Sequence, residues 1–230
     1  VFIKEIETAL LSGEIDMAVH SAKDMPTEIC DGLTISAALL RDDRSDVLVH
    51  FGDTELSDIK IIGTGSARRQ SQAEKLFPNA VFKPIRGNIG TRLEKVKSGE
   101  YDAVIMARAA INRLAVSDVK IENLGDNFIC AAGQGILAIE TAVGKADKYA
   151  QAINDKVAMT ELKCERAFLQ YTGGGCHAPC GASAEFNGKE IKMCTFFKEN
   201  DKEIYLEMFG NDPILLGKKM AEITLDKIKE

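Results

Sequence analysis

Apolar residues along this chain follow two rhythms, and the change between them marks how it is organised. Between residues 1 and 113, short apolar runs of strand length alternate with stretches whose apolar positions recur at helical spacing, the signature of an α/β architecture. Phe2, Ile6, Ala9 and Leu10 make one face of an amphipathic helix that Gly13 ends. The runs Ile15–His20, Ile35–Leu40, Asp46–His50, Ile61-Ile62, Ala80–Phe82 and Ala103–Ala107 read as strands, most of them buried. Ser66 is placed to cap a helix over Ala67–Leu76 that Pro78 stops, and Thr91 to begin another through Lys97, closed by Gly99.

The second rhythm begins at residue 157. A helix carrying Val157, Glu161, Cys164, Phe168 and Tyr171 down one side runs into Gly173-Gly-Gly-Cys176. Strands are predicted at Ala182–Phe186, Ile191–Phe197 and Ile204–Phe209, turned by Asn187-Gly188 and Asn200-Asp201. A last helix presents Leu216, Met220 and Ile223 to cover them, giving a small separate α+β domain. The chain has no internal repeat or low-complexity tract.

Composition narrows the function classes. With 45% hydrophobic and 28% charged residues the chain is an ordinary globular protein. It has no apolar run near the ~20 residues that span a bilayer, so no membrane partner is expected. An acidic pI near 5.3, no Trp and four Tyr argue against nucleic-acid binding. Six scattered cysteines do not form a disulfide framework, and reduced thiols in a cytoplasmic protein are expected. Opening at Val1, within a helix, is the start expected of a fragment or a processed chain.

The charge is unevenly placed. The whole chain carries −6, yet residues 63–113 hold ten Lys/Arg against four Asp/Glu, a local +6. Arg68 and Arg69 lie in Gly63-Thr-Gly-Ser-Ala-Arg-Arg-Gln70, Arg86 and Arg92 bracket Arg86-Gly-Asn-Ile-Gly-Thr-Arg92, and Arg113 follows. Clustered guanidiniums repel one another unless carboxylates or phosphates sit between them, so the cluster predicts an anion site; a solvated basic face is the alternative. Both runs fall at strand-to-helix turns, where open α/β sheets bind ligands and helix starts offer free N–H groups.

Two further motifs carry possible chemistry. In His20-Ser-Ala-Lys-Asp24-Met-Pro26, Lys23 and Asp24 sit on a strand-end loop. A carboxylate there can accept a hydrogen bond from a ring N–H and stabilise a developing cation, unless the segment is only a turn ended by Pro26. Cys176, after three glycines, has the access that a nucleophilic or cofactor-bearing thiol requires. An inert thiol is one alternative. Zinc at Cys176-His-Ala-Pro-Cys180 is another, although a second ligand pair is not evident and no metal is expected. Cys30, Cys164 and Cys194 fit core or loop positions.

In order and spacing these motifs resemble the hydroxymethylbilane synthase (porphobilinogen deaminase) family from residue 1 to the end. The resemblance rests on Phe2-Ile-Lys-Glu-Ile-Glu7, His20-Ser-Ala-Lys-Asp24, Gly63–Gln70, Ile85–Leu93, Gly99-Glu-Tyr-Asp-Ala103, Gly133-Gln-Gly135, Glu165-Arg-Ala-Phe168 and Gly174-Gly-Cys176. It implies two α/β domains like a type II periplasmic-binding-protein clamp, plus a small α+β C-terminal domain. The first would be residues 1–41 with 136–153, the second 42–130 and the third 157–230.

The implied reaction deaminates porphobilinogen and joins four units head to tail on a dipyrromethane held by a thioether to Cys176. Hydrolysis then releases hydroxymethylbilane, within tetrapyrrole and heme biosynthesis. Asp24 and Lys23 match the family's catalytic pair, and both also fall among its cofactor-binding residues. Thr64, Ser66, Arg68, Arg69, Arg86, Gly87 and Arg92 match the remaining cofactor- and anion-binding positions, with Arg113 a further candidate. Each pyrrole carries acetate and propionate, so a growing chain needs many guanidiniums.

The chain departs from the pattern in lacking a first strand, an Arg/Ser anion site and a mobile Lys/Gly-rich segment at its start. An N-terminally truncated form of a cytoplasmic monomer is therefore the expectation, short of central strands of its first domain that catalysis would draw on. A non-catalytic anion-binding clamp is the alternative, since it would use the same arginines without needing Asp24 or Cys176. A redox or zinc module at 157–230 is a third reading.

Overall fold

The structure is a computed structural model that describes residues 2–53, 55–173 and 179–230. Helix α1 (Phe2–Ser12) ends at Gly13, where φ is 74°. Strands β1 (Ala18–Ser21) and β2 (Leu33–Ala38) follow. The chain then builds β3 (Asp46–His50), β4 (Ile61–Gly63), α2 (Ala67–Leu76), β5 (Val81–Lys83), α3 (Ile89–Lys97), β6 (Ala103–Ala107), α4 (Arg108–Arg113) and β7 (Lys120–Asn123). It returns as β8 (Leu137–Ala142), which enters the first sheet between β1 and β2, antiparallel to both.

The second sheet has the order β5-β4-β6-β3-β7. There β4 runs parallel to β5 and β6, while β3 is antiparallel to β6 and β7. Each sheet thus holds one antiparallel strand, and that strand is the first to form after the chain crosses from the other sheet. This is the two-lobed clamp arrangement, with ligand space outside the strand ends. Val47, Val49, Val104 and Met106 pack one face of the second sheet, and Leu48, Ile62, Ala103 and Ile105 the other, which is why these strands read as unbroken apolar runs.

After α5 (Asp147–Ile153), helix α6 (Lys156–Thr172) leads towards the antiparallel sheet of β9 (Cys180–Phe186), β10 (Ile191–Glu199) and β11 (Lys202–Gly210), covered by α7 (Pro213–Lys229). Cys164, Phe168, Met193 and Met220 are fully buried between helices and sheet. Val157 and Tyr171, at the ends of the predicted stripe, are exposed.

Helices α6 and α7 meet at Gly217, where an added Cβ would stand 2.4 Å from the Cys164 carbonyl oxygen and 2.8 Å from Ala167 Cβ. Alanine is the better helix former by ~1 kcal/mol, but here it would force the helices apart. Gly217→Ala should therefore lower stability by about 1–3 kcal/mol, the usual range for overpacking. A fall in the urea unfolding midpoint at unchanged slope checks this; an unchanged midpoint refutes it.

Several boundaries differ from the sequence expectations. Strand β1 begins at Ala18 rather than Ile15, because Ile15 turns back after Gly13, its N–H bonding to the Ala9 carbonyl at 3.3 Å. Strand β2 ends at Ala38, its register shifting between Ile35 and Ala37. Helix α3 starts at Ile89, not Thr91, because Asn88 is the cap: its Oδ1 accepts from Thr91 N at 2.9 Å and from Thr91 Oγ1 at 3.0 Å.

Candidate functional site

A cleft of about 670 Å³ opens where the turns of the two sheets face each other. A short 3-10 turn, Ala22–Asp24, directly follows β1 and brings Lys23 and Asp24 to its wall. The β4–α2 turn contributes Ser66, Arg68 and Arg69, the β5–α3 turn Gly87 and Arg92, and the end of α4 Arg113. Gln134 and Gly135, on the returning crossover, and Cys180, at the start of β9, complete the part that bears on chemistry. Four of the arginines behind the charge inversion of the sequence, Arg68, Arg69, Arg92 and Arg113, thus converge on one hollow.

Two candidates do not line it. Thr64 is buried and shapes the turn, its Oγ1 accepting from Ser66 N at 3.2 Å, while Ser66 Oγ accepts from Arg69 N at 3.4 Å to cap α2. Arg86 is exposed and lies outside the lining. Arg92 stays at the wall because its Nε donates to the Gly87 carbonyl at 2.8 Å. Arg113 donates to the Gly135 carbonyl at 2.8 Å, with Asp42 3.7 Å away.

Sequence reasoning missed the group that makes adjacent buried arginines tolerable. Asp46, the first residue of β3, has a wholly buried side chain. Its Oδ2 accepts from Arg68 Nη1 at 2.7 Å, and its Oδ1 from Arg69 Nε at 2.9 Å and from Gln134 Nε2 at 3.0 Å; Arg69 Nη2 lies 2.7 Å from the same Oδ1. Burial alone would raise the Asp46 pKa, but the two guanidiniums outweigh it and hold the carboxyl well below the usual carboxylate range. The anion expected between Arg68 and Arg69 is therefore already supplied within the chain, and the trio offers a ligand one net positive charge.

Gln134 ties this trio to the crossovers. It is fully buried, donates to the Arg44 carbonyl at 2.7 Å, and accepts on Oε1 from Lys23 Nζ at 3.4 Å and Arg69 Nη2 at 3.5 Å. Burial lowers the Lys23 pKa, and the Arg69 charge lowers it further. Gly135 must be glycine: its φ is 88°, and a Cβ would fall 2.5 Å from the Asp42 carbonyl oxygen. The one available sequence signal for this hub was the motif Gly133-Gln-Gly135.

Helix α6 docks against both crossovers. Arg41 donates to Glu161 at 3.0 Å and to both oxygens of Glu165 at 2.7 and 3.2 Å; Glu165 also accepts from Gly133 N at 2.6 Å and Ala184 N at 2.8 Å. Arg166 Nη2 donates to the carbonyls of Pro26 at 2.7 Å and Thr27 at 2.8 Å. Cys176 and its neighbour His177 lie outside the described residues. Burial pushes the Cys180 thiol up to about 12, which leaves it protonated and a poor nucleophile at neutral pH. Among the described residues, no helix is long and apolar enough to cross a membrane.

Residues 1–150 match the family described as "Porphobilinogen deaminase, dipyromethane cofactor binding domain", and residues 159–226 match "Porphobilinogen deaminase, C-terminal domain". The chain belongs to the porphobilinogen deaminase family. The porphobilinogen deaminase of Geobacillus kaustophilus is 40% identical over 97% of this chain and 75% of its own length. That of Bacillus subtilis is 40% identical over 99% and 76%, and that of Lachnospira eligens 42% identical over 96% and 79%. Porphobilinogen deaminases are transferases, so this chain is an enzyme and not a non-catalytic clamp.

The cleft fits the family's dipyrromethane cofactor. A group bearing several carboxylates needs fixed cations, and Lys23, Arg92, Arg113 and the net-positive Asp46 trio supply them around Asp24, the single acid among the described residues that line the cleft. Gly87, on the same wall, must be glycine: its φ is 113°, and a Cβ there would stand 2.7 Å from Thr91 Cγ2.

Proposed function

We propose that porphobilinogen binds in this cleft with its carboxylates on Lys23 and Arg113 and its reacting end at Asp24. The observation that carries the reading is an exposed carboxylate, Asp24, just past the end of β1, the one acid among the described residues lining this cationic cleft. Deamination breaks the C–N bond of the aminomethyl group. Ammonia leaves with the bonding pair, and the methylene and ring share the positive charge that remains. Asp24 accepts the pyrrole N–H and lies against that charge, while Lys23, turned by Gln134, holds a substrate carboxylate.

When bound, the dipyrromethane supplies the pyrrole terminus on which the four units are assembled before hydrolysis releases hydroxymethylbilane. Cys176 would hold it, with Ser66, Arg68, Arg69 and Arg92 on its carboxylates; Thr64 would act through the turn and Arg86 from outside the cleft. The domains follow the sheets, as residues 1–41 with 136–153, 42–130 and 157–230. The enzyme works as a monomer in the cytoplasm, and the scattered cysteines support the reducing compartment of that reading.

The test is the intact mass of the purified holoenzyme. Cys176→Ser should lose both the added mass and the pink colour with Ehrlich reagent. Persistence of both would move the attachment elsewhere, first to Cys180.

A further inference from the structure

The turn that carries Asp24 is held unequally on its two sides. Upstream, Ala22 N bonds to the Ile136 carbonyl at 3.0 Å, and β1 pairs with β8. Downstream, Pro26 has no N–H to give. Among the described residues, the hydrogen bonds reaching the backbone of residues 26–29 come from Arg166 alone, through one nitrogen shared by the Pro26 and Thr27 carbonyls. These carbonyls are two and three residues past Asp24. Met25 and Ile29 pack on Leu162 and Ala158 of the same helix, so apolar contact brings the segment to α6 and the guanidinium sets where it stops.

Arg166 is itself well placed. It is half-buried on α6, beside the acid (Glu165) that locks the helix to the crossover. The charge facing it is that of Glu140 on β8, which pairs with His20 of β1 at 3.0 Å and is also approached by Glu7 of α1. Six residues beyond Arg166, α6 ends at Thr172 and the chain enters the segment holding Cys176.

We propose that Arg166 is a positioning residue for the reaction: it fixes Asp24 relative to the domain that bears the cofactor-attachment segment. It therefore governs turnover and not substrate affinity. The proposal rests on the reading of Asp24 as the reacting carboxylate.

In the holoenzyme, Arg166→Met keeps the apolar stem and removes the donors. It should lower kcat by about tenfold to a hundredfold, as expected for a misplacement of about 1 Å, with KM within about threefold. Amide exchange at Met25, whose N–H bonds to the Ala22 carbonyl within the turn, should quicken by about tenfold, with the added cofactor mass retained. In an Asp24→Asn background the kcat penalty of Arg166→Met should vanish, because the two residues act as one unit. Arg166→Lys, which keeps a charged three-donor nitrogen, should restore most of the protection and most of the turnover.

An equal penalty in both backgrounds overturns the proposal and leaves Asp24's role standing. So do unchanged exchange in Arg166→Met, or a lysine variant with protected amides but depressed turnover. Near-normal turnover of Asp24→Asn alone sinks the underlying reading and the proposal with it.

Discussion

Asp24→Asn should lower porphobilinogen turnover by at least about a hundredfold, the scale of removing one preorganised electrostatic group from a transition state. Its side chain is exposed on the cleft wall and takes part in none of the networks that hold the crossovers, so folding stability should change by less than ~0.5 kcal/mol. The asparagine oxygen still accepts a pyrrole N–H, which keeps ground-state binding and KM close to normal. The negative charge is what disappears. Among the described residues lining the cleft, Asp24 is the only acid, against Lys23, Arg68, Arg69, Arg92 and Arg113. A cation developing there would then meet only repulsion beyond the partly neutralised trio. Single-turnover assays of purified, cofactor-loaded variant are the measurement, and near-normal rates would refute the assignment.

Asp46→Asn should act on the fold instead, with a loss on the order of 3–5 kcal/mol, the range for removing one partner from a buried ion pair. Two buried guanidiniums would lose their shared counter-charge, and the new amide would turn an N–H₂ towards one of them. The pH dependence has a definite sign. Because the folded-state pKa of Asp46 is depressed, its stabilisation is fully present above the unfolded value near ~3.9 and is lost as pH falls towards the folded value. The unmodified protein should therefore shed stability steeply below about pH 4, and the variant, already without that contribution, should show a shallower slope. Urea unfolding at neutral pH and across that acid range checks both parts. Equal stability of the two proteins at neutral pH would show that the trio is not held as described.

What could be read from the chain was whatever is local. The helix over Ala67–Leu76 was legible because Ser66 caps it and Pro78 follows it, and strands β3 and β6 because they are unbroken apolar runs. The α3 start is misplaced in the sequence since both Asn88 and Thr91 can cap, and only geometry shows which side-chain oxygen takes a backbone amide. Strands β7 and β8 and helices α4 and α5 carry too little periodicity to stand out. The arginines of the cleft were visible as a charge inversion, but Asp46 was not. It sits 22 residues before Arg68 and 88 before Gln134, and nothing in its own surroundings marks it as more than the first residue of a strand. Arg41, Glu161 and Glu165 escaped for the same reason: their partners are brought to them by the crossovers.

Helix α6 also works as a ruler. Arg166 grips the turn after Asp24 at one point, and the helix runs unbroken to Thr172 before the Gly-rich segment. Each residue of an α-helix adds about 1.5 Å and about 100° of rotation. A single insertion or deletion between Arg166 and Thr172 would turn the end of the helix by about a quarter-turn or more relative to Arg166. The stretch from Arg166 to Thr172 should therefore tolerate substitution more readily than any change in its length.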